Sequence, residues 1–180
     1  NSPEPGLVFA MISYTNFLRG KELLGVERAL LSQTFTQDYF TEGAYRQFMQ
    51  LVTEQDVYHQ RFLSFTKPEL ASEFNGLNSD ELSKKVNEYR NIAHKNAENG
   101  HFGVNVKNWF NVISAKIDQF KVLEDSITND LSKTALQKKT ESEGALFRWR
   151  AFILVLSLSM AIVGVWMVRR ISLAFERRLE

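Results

Sequence analysis

The chain has 180 residues, of which 44% are hydrophobic and 24% charged, and its formal net charge is +1. The absence of cysteine excludes a disulfide framework, a thiolate metal site and a cysteine nucleophile. The near balance of charge argues against a nucleic-acid partner, because neutralising a phosphate backbone needs a concentrated basic surface. Only 3 Pro and 9 Gly, with 14 Phe, argue against disorder.

The first half of the chain predicts two long helices. Residues 1–6 are rich in Pro and Gly and predict an N-terminal loop. Apolar residues then recur at helical spacing, which predicts a helix from Leu7 to Phe35. After a polar break at residues 36–42, the same pattern predicts a second helix from Gly43 to Phe65.

Two shorter helices are predicted next. Thr66, followed three residues later by Glu69, has the spacing of a capping box and predicts a helix that Asn75-Gly76 closes. Ser79 is the predicted cap of the following helix, which we expect to end at residues 100–103.

A long final helix is predicted from Val106, with Asn105 as its cap. Its apolar residues alternate steps of three and four, and Glu124 falls on that stripe. We therefore expect Glu124 to lie at an interface or to face a basic partner. Because no proline interrupts the chain before residue 151, the helix is expected to continue into the segment that follows.

Residues 151–168 are 18 uncharged residues, flanked by Arg148 and Arg150 on one side and by Arg169 and Arg170 on the other. A helix of this length spans about 27 Å, close to the apolar thickness of a bilayer. The segment therefore predicts a transmembrane helix, and a buried core helix is the alternative. The C-terminal arginines lie closer to the segment, which favours a cytoplasmic C-terminus with residues 169–180 as the start of a connector. Because the chain starts abruptly at Asn1, we expect it to be part of a longer protein.

No catalytic constellation is legible in the sequence. The three histidines, His59, His94 and His101, are interpreted as solvated surface residues. There is no HExxH, no Gly-rich phosphate loop and no GxSxG motif. We therefore expect neither an enzyme nor a bound metal or cofactor.

The most informative segment places charges in the middle of an otherwise apolar helix. Lys21 and Arg28 are seven residues apart, so both can face the same way, and Gly25 lies one turn from each. A mid-helix glycine costs about 1 kcal/mol relative to alanine. Two interpretations remain open. Either a ligand approaches the backbone at Gly25, or the glycine allows tight helix packing and Lys21, Glu22, Glu27 and Arg28 are surface charges.

This segment resembles the nitrate- and nitrite-sensing (NIT) domain family, through Lys21-Glu22, Gly25 and Glu27-Arg28-Ala29. Matches that follow in order are Phe35, Phe40, Tyr45, Phe48, Leu51-Val52, Gln55, Phe62, Val86, Tyr89-Arg90, Trp109-Phe110, Lys116-Ile117-Asp118 and Val122-Leu123-Glu124. The likeness covers residues 10–130. The first half of the family's domain, with its own Glu-Arg-Gly motif, has no counterpart in this chain.

The resemblance implies an all-α antiparallel bundle that binds nitrate or nitrite through arginines. Arg28 takes that role by motif match and Arg90 by approximate position, and Lys21 and Gly25 complete the predicted ligand site. The resemblance also implies that residues 7–150 form part of an extracytoplasmic sensor in a bacterial inner-membrane receptor. We expect the receptor to be a homodimer in contact with the lipid bilayer. The alternative is a ligand-free helical module for dimerisation or for binding a partner protein.

Overall fold

The computed structural model describes the backbone of residues 5–176, and the side chains of residues 5–137, 147–150, 152–157 and 160. Within these residues the chain is helical without strands, which confirms the predicted fold class. The helices are α1 (Pro5–Gln37), α2 (Ala44–Phe65), α3 (Pro68–Asn78), α4 (Glu81–Lys95) and α5 (Val106–Glu176). Residues 1–133 form one compact unit and residues 134–180 another.

The first unit is an antiparallel helical bundle with an aromatic core. Phe17 of α1 packs against Phe62 of α2 and Phe120 of α5, with ring centroids 5.3 and 5.7 Å apart. A second layer surrounds Phe35, whose ring centroid lies 5.9 Å from that of the fully buried Trp109. Burial of rings of this size supplies much of the free energy that opposes chain entropy in such a bundle.

The helix boundaries confirm some predicted signals and correct others. Helix α5 begins at Val106, and the Asn105 carboxamide accepts a hydrogen bond from the backbone N–H of Lys107 at 3.0 Å, as its predicted role as a cap requires. The predicted capping box is wrong, because the residue that flanks the start of α3 is Lys67 and no side chain caps that helix. Thr66 instead ends α2, where its backbone N–H donates to the Phe62 carbonyl at 3.0 Å. Pro68 itself starts α3, since its fixed φ suits the first helical position.

The predicted cap of α4 is also wrong by one residue. The Asp80 carboxylate accepts a hydrogen bond from the backbone N–H of Ser83 at 2.8 Å, which makes Asp80 the N-cap. The Ser79 hydroxyl instead donates to the carbonyl of Asn75 at 2.8 Å and closes α3. Helix α4 ends at Lys95, well before the predicted end at residues 100–103.

The loop between α4 and α5 is tied to the end of α1. The backbone N–H of Phe102 donates to the Asp38 carboxylate at 2.8 Å, and that of His101 donates to the Asp38 carbonyl at 2.9 Å. Gly100 makes this approach possible, because its φ is +65° and a Cβ there would lie 2.4 Å from the Asp38 carbonyl oxygen. These contacts fix the start of α5 beside α1.

Helix α5 is continuous from Val106 to Glu176, so it passes through both units. Side chains in the predicted transmembrane segment, residues 151–168, lie largely outside the described set, as do those of the predicted connector. In the part of the chain that is described, no helix has the combination of length and apolarity needed to cross a bilayer.

Candidate functional site

The charged segment of α1 lies beside α5. Lys21 forms an ion pair with Glu124, and Lys121 donates to the same carboxylate at 3.0 Å. Burial raises the pKa of Glu124, but the hydrogen bonds from the two ammonium groups outweigh it and hold that pKa below its ordinary value. The prediction that Glu124 faces a basic partner is confirmed, and Lys21 is that partner.

Arg28 contacts α5 two turns farther along α1. One terminal nitrogen of its guanidinium donates to the Ser114 hydroxyl at 3.0 Å, and the group lies over the Phe110 ring, 5.0 Å from its centroid. The indole N–H of Trp109 donates to the Arg28 carbonyl at 3.2 Å. Among the described residues, no carboxylate lies within ion-pair distance of Arg28, so its positive charge is partly buried without a counter-ion.

Gly25 borders open space between these two contacts. A Cβ placed at Gly25 would meet no described atom within 4 Å. Close packing against another helix in the described part of the chain therefore does not explain the glycine. The interpretation that the neighbouring charges are all surface groups also fails, because Glu27 is fully buried.

Glu27 belongs to a buried polar network that joins three helices. Arg90 of α4 donates to both carboxylate oxygens of Glu27, from Nε at 2.7 Å and from a terminal nitrogen at 2.6 Å. Gln55 of α2 donates to Glu27 at 2.8 Å and accepts from Arg90 at 2.7 Å. Burial lowers the pKa of Arg90, but the hydrogen bonds and charge of Glu27 raise it above its ordinary value. The network is thus a charged, paired and mutually satisfied cluster.

A cavity of about 100 Å³ adjoins this network. Gln55, Arg90 and Lys116 contribute polar groups to its wall, together with His59 and Asn87. Arg28 does not line it, and among the described residues no contact joins the two guanidinium groups. The predicted residues Lys21, Gly25 and Arg28 therefore share one side of α1, whereas Arg90 lies with Glu27 elsewhere.

His59 is not the solvated surface residue that the sequence suggested. Its ring packs against Phe74 and Phe120, with centroids 4.9 and 5.8 Å away, and its Nε2 is buried with no hydrogen-bond partner among the described residues. Burial, followed by repulsion from Arg90 and Lys116, lowers the pKa of His59 from 6.5 to about 4. The imidazole is therefore neutral at pH 7.

Lys116 is a buried cation that is not among the residues predicted for the ligand site. Only 3% of it is exposed, and its ammonium donates to the Leu77 carbonyl and lies 3.6 Å from the Asp80 carboxylate. Burial lowers the pKa of Lys116 although Asp80 raises it. A signal was present in the sequence, because Lys116 lies between Ile113 and Phe120 at the helical spacing of core positions.

Comparison with known proteins places this bundle in a family. The family described as nitrate and nitrite sensing matches residues 1–132, which is well over half of the chain. A curated relative, the nitrate regulatory protein of Klebsiella oxytoca, is 23% identical over 132 residues. That alignment covers 73% of this chain and 33% of the relative, so the chain spans about a third of the relative's length. No solved structure gives a significant match. From the extent of the family match, the chain belongs to the nitrate- and nitrite-sensing domain family.

Proposed function

We propose that residues 7–150 are a non-enzymatic sensor for nitrate or nitrite and that Arg28 is the primary anion contact. The observation that carries this is the guanidinium of Arg28, which is partly buried and has no carboxylate partner among the described residues. A partly buried cation without a counter-ion is a site that an anion stabilises. Membership of the family supplies the identity of the anion.

The chemistry of the two partners matches. Nitrate is a planar monoanion, and a guanidinium is planar, always charged and able to donate two parallel hydrogen bonds. One nitrogen of Arg28 is engaged by Ser114, which leaves further N–H groups for the anion. Gly25 adds room on the same side of α1, because no described atom lies near its Cβ position.

Arg90 and Lys21 differ from Arg28 in that each already has a carboxylate partner. Arg90 is held by both oxygens of Glu27, and Lys21 by Glu124. We assign them supporting roles, with Arg90 fixing α1 against α2 and α4, and Lys21 fixing α1 against α5. An anion would then reach a pre-arranged Arg28, which lowers the entropy lost on binding.

Calorimetric titration of the full chain with sodium nitrate and sodium nitrite tests the proposal. Arg28→Ala is expected to weaken binding by about ten-fold or more, since a charge-assisted hydrogen bond contributes about 1.5–3 kcal/mol. Arg19→Ala is the matched control, because Arg19 lies on the same helix in an exposed pair with Glu22. Equal affinity of Arg28→Ala and the unchanged chain would remove Arg28 from the site, and binding of neither anion by the unchanged chain would favour the ligand-free helical module.

We further propose that residues 151–168 cross the bacterial inner membrane, with residues 1–150 outside and residues 169–180 in the cytoplasm. The uncharged run and the arginines that flank it support this arrangement. Helix α5 carries Ser114 and continues to Glu176, so a change in its packing beside Arg28 has a continuous helix through which to act. The homodimer stays a prediction.

The absence of cysteine makes the topology directly testable. Single substitutions Ser72→Cys and Ser172→Cys are labelled with a membrane-impermeant maleimide in intact spheroplasts. We expect Ser72→Cys to react at once and Ser172→Cys to react only after lysis. The reverse pattern, or equal labelling of both before lysis, would contradict the proposed orientation.

A further inference from the structure

We infer that the Ser114 hydroxyl is a second anion contact, so that the ligand is held between α1 and α5 rather than by α1 alone. This inference rests on the proposed function and adds to it the neutral donor of the site. Because Ser114 belongs to α5, that helix would respond directly to the presence of the anion.

The hydrogen bond of Ser114 differs from the pattern that several other described helical hydroxyls share. Thr15, Ser32 and Thr53 each donate to the carbonyl four residues before them, at 2.6–2.9 Å, which is the common local arrangement. The Ser114 oxygen instead accepts from the Arg28 guanidinium at 3.0 Å. A hydroxyl that accepts still has one proton to donate.

The described contacts give that proton no acceptor, since the only hydrogen bond of Ser114 among them is the one it accepts from Arg28. A partly buried donor next to an uncompensated guanidinium is suited to a small oxyanion, which offers acceptor lone pairs to both groups at once. Neutral donors beside a cation also satisfy oxygens that a single guanidinium edge cannot reach.

Two contacts with α5 position the guanidinium of Arg28. Phe110 lies one turn before Ser114, and the guanidinium carbon lies over its ring, 5.0 Å from the centroid. With one terminal nitrogen donating to Ser114, the remaining N–H groups of Arg28 are left for a planar anion.

The space for that anion is on the Gly25 side. Long helical side chains lean toward the N-terminus and cover the preceding turn, so Arg28 extends along the turn that contains Gly25. That position is open, because a Cβ there would meet no described atom within 4 Å. An anion in this space would contact α1 through Arg28 and α5 through Ser114, and would add a bridge between the two helices to the one that Lys21 and Glu124 already form.

The experiment is a calorimetric titration of the full chain, in detergent micelles, with sodium nitrate. Ser114→Ala is expected to bind nitrate about ten-fold more weakly, because a hydrogen bond from a hydroxyl to an anion is charge-assisted. Ser114→Thr keeps a hydroxyl at the same position and is expected to restore most of the affinity. Ser126→Ala, on the same helix, is the matched control and is expected to bind as the unchanged chain does. Circular dichroism melting curves establish that all three variants are folded.

If the unchanged chain binds nitrate and Ser114→Ala binds it equally well, Ser114 is not a contact, while the proposed function of Arg28 stands. Weakening by Ser114→Ala and Ser114→Thr alike would also overturn the inference, because the hydroxyl would then not be the feature that matters. If the unchanged chain binds neither nitrate nor nitrite, the proposed function itself fails. The two failures are therefore distinguishable in a single series of titrations.

Discussion

Glu27 and Arg28 are neighbours in sequence but differ in burial and in ion pairing. Glu27 is fully buried and is held by Arg90 and Gln55, whereas Arg28 has no carboxylate partner among the described residues. The difference arises because successive side chains on a helix point about 100° apart, so α1 presents Glu27 to α2 and α4 and Arg28 to α5. The two residues of one dipeptide therefore lie in different environments, and the proposed ligand contact is the one without a carboxylate partner.

The Glu27–Arg90 pair gives a prediction about stability. Arg90→Ala would leave the Glu27 carboxylate buried without its cation, so we expect the free energy of unfolding to fall by about 3–5 kcal/mol. Urea unfolding followed by circular dichroism measures this. Arg19→Ala, which breaks an exposed pair, is expected to change it by less than about 1 kcal/mol. A loss of similar size in both variants would show that Glu27 does not depend on Arg90.

His59 gives a prediction about pH. Its pKa is about 4 in the folded chain and 6.5 ordinarily, so between these values the unfolded chain binds the proton more tightly. The free energy of unfolding should therefore decrease as the pH falls from 6.5 to 4, by up to about 3 kcal/mol, with no further loss from this group below pH 4.

The measurement compares the unchanged chain with His59→Gln across this range, since carboxylates that titrate nearby contribute alike to both. The difference in unfolding free energy between the two should change with pH as stated. The exposed His94→Gln is the control, and its curve should parallel that of the unchanged chain. Parallel curves for His59→Gln as well would contradict the lowered pKa.

Sequence reasoning could locate charged residues but not sort them by environment. Arg28 was found because it interrupts an apolar helix. The surface interpretation of Glu27 could not be rejected from the sequence, because its burial depends on Arg90 and Gln55, which lie 63 and 28 residues away. His59 was misjudged for the same reason, since the rings that enclose it come from α3 and α5.

At the scale of the element, Gly25 is a position where helix stability and binding are expected to oppose each other. Gly25→Ala meets no described atom, so it should stabilise α1 by about 0.5–1 kcal/mol through helix propensity. If the open space holds the anion, the added methyl should also weaken nitrate binding. Thermal melting and calorimetric titration measure the two effects separately.

Gly76→Ala in α3 is the matched control, because a Cβ there also meets nothing within 4 Å and Gly76 lies away from Arg28 in sequence and helix. It should stabilise the chain and leave nitrate affinity unchanged. Unaltered affinity in Gly25→Ala would separate the glycine from the site, and lowered stability would show that α1 needs the glycine for its conformation.

The sequence of this chain predicts that the helices exist more reliably than it predicts the residues at which they begin. The periodic apolar positions of α1, α2 and α5 locate them correctly, because amphipathic spacing reflects burial directly. Caps were harder, since Ser79 and Asp80 are both suitable residues at adjacent positions. Asp80 is the N-cap of α4, and its carboxylate also lies 3.6 Å from the Lys116 ammonium. That second contact comes from α5 and has no local signal.

At the scale of the whole molecule, the buried core that the structure describes belongs to the first unit. All the buried hydrophobic residues described lie between Phe17 and Ile127, and the unit ends at Lys133. We therefore expect residues 1–133, expressed alone, to fold cooperatively and to bind nitrate with the affinity of the full chain. Circular dichroism, thermal melting and calorimetry check this. A fragment without a cooperative transition would show that residues beyond 133 contribute to the stability of the bundle.

The buried network of Glu27, Gln55 and Arg90 also bears on how the helices find their alignment. If α1 slid by one turn, or if α4 docked in another register, the Glu27 carboxylate would lie in an apolar interior without its guanidinium. Such a state is disfavoured by several kcal/mol, whereas a shifted apolar contact is easily replaced by another. The three residues therefore favour one alignment of the helices over its shifted alternatives, and that alignment is the one that brings Arg28 to Ser114.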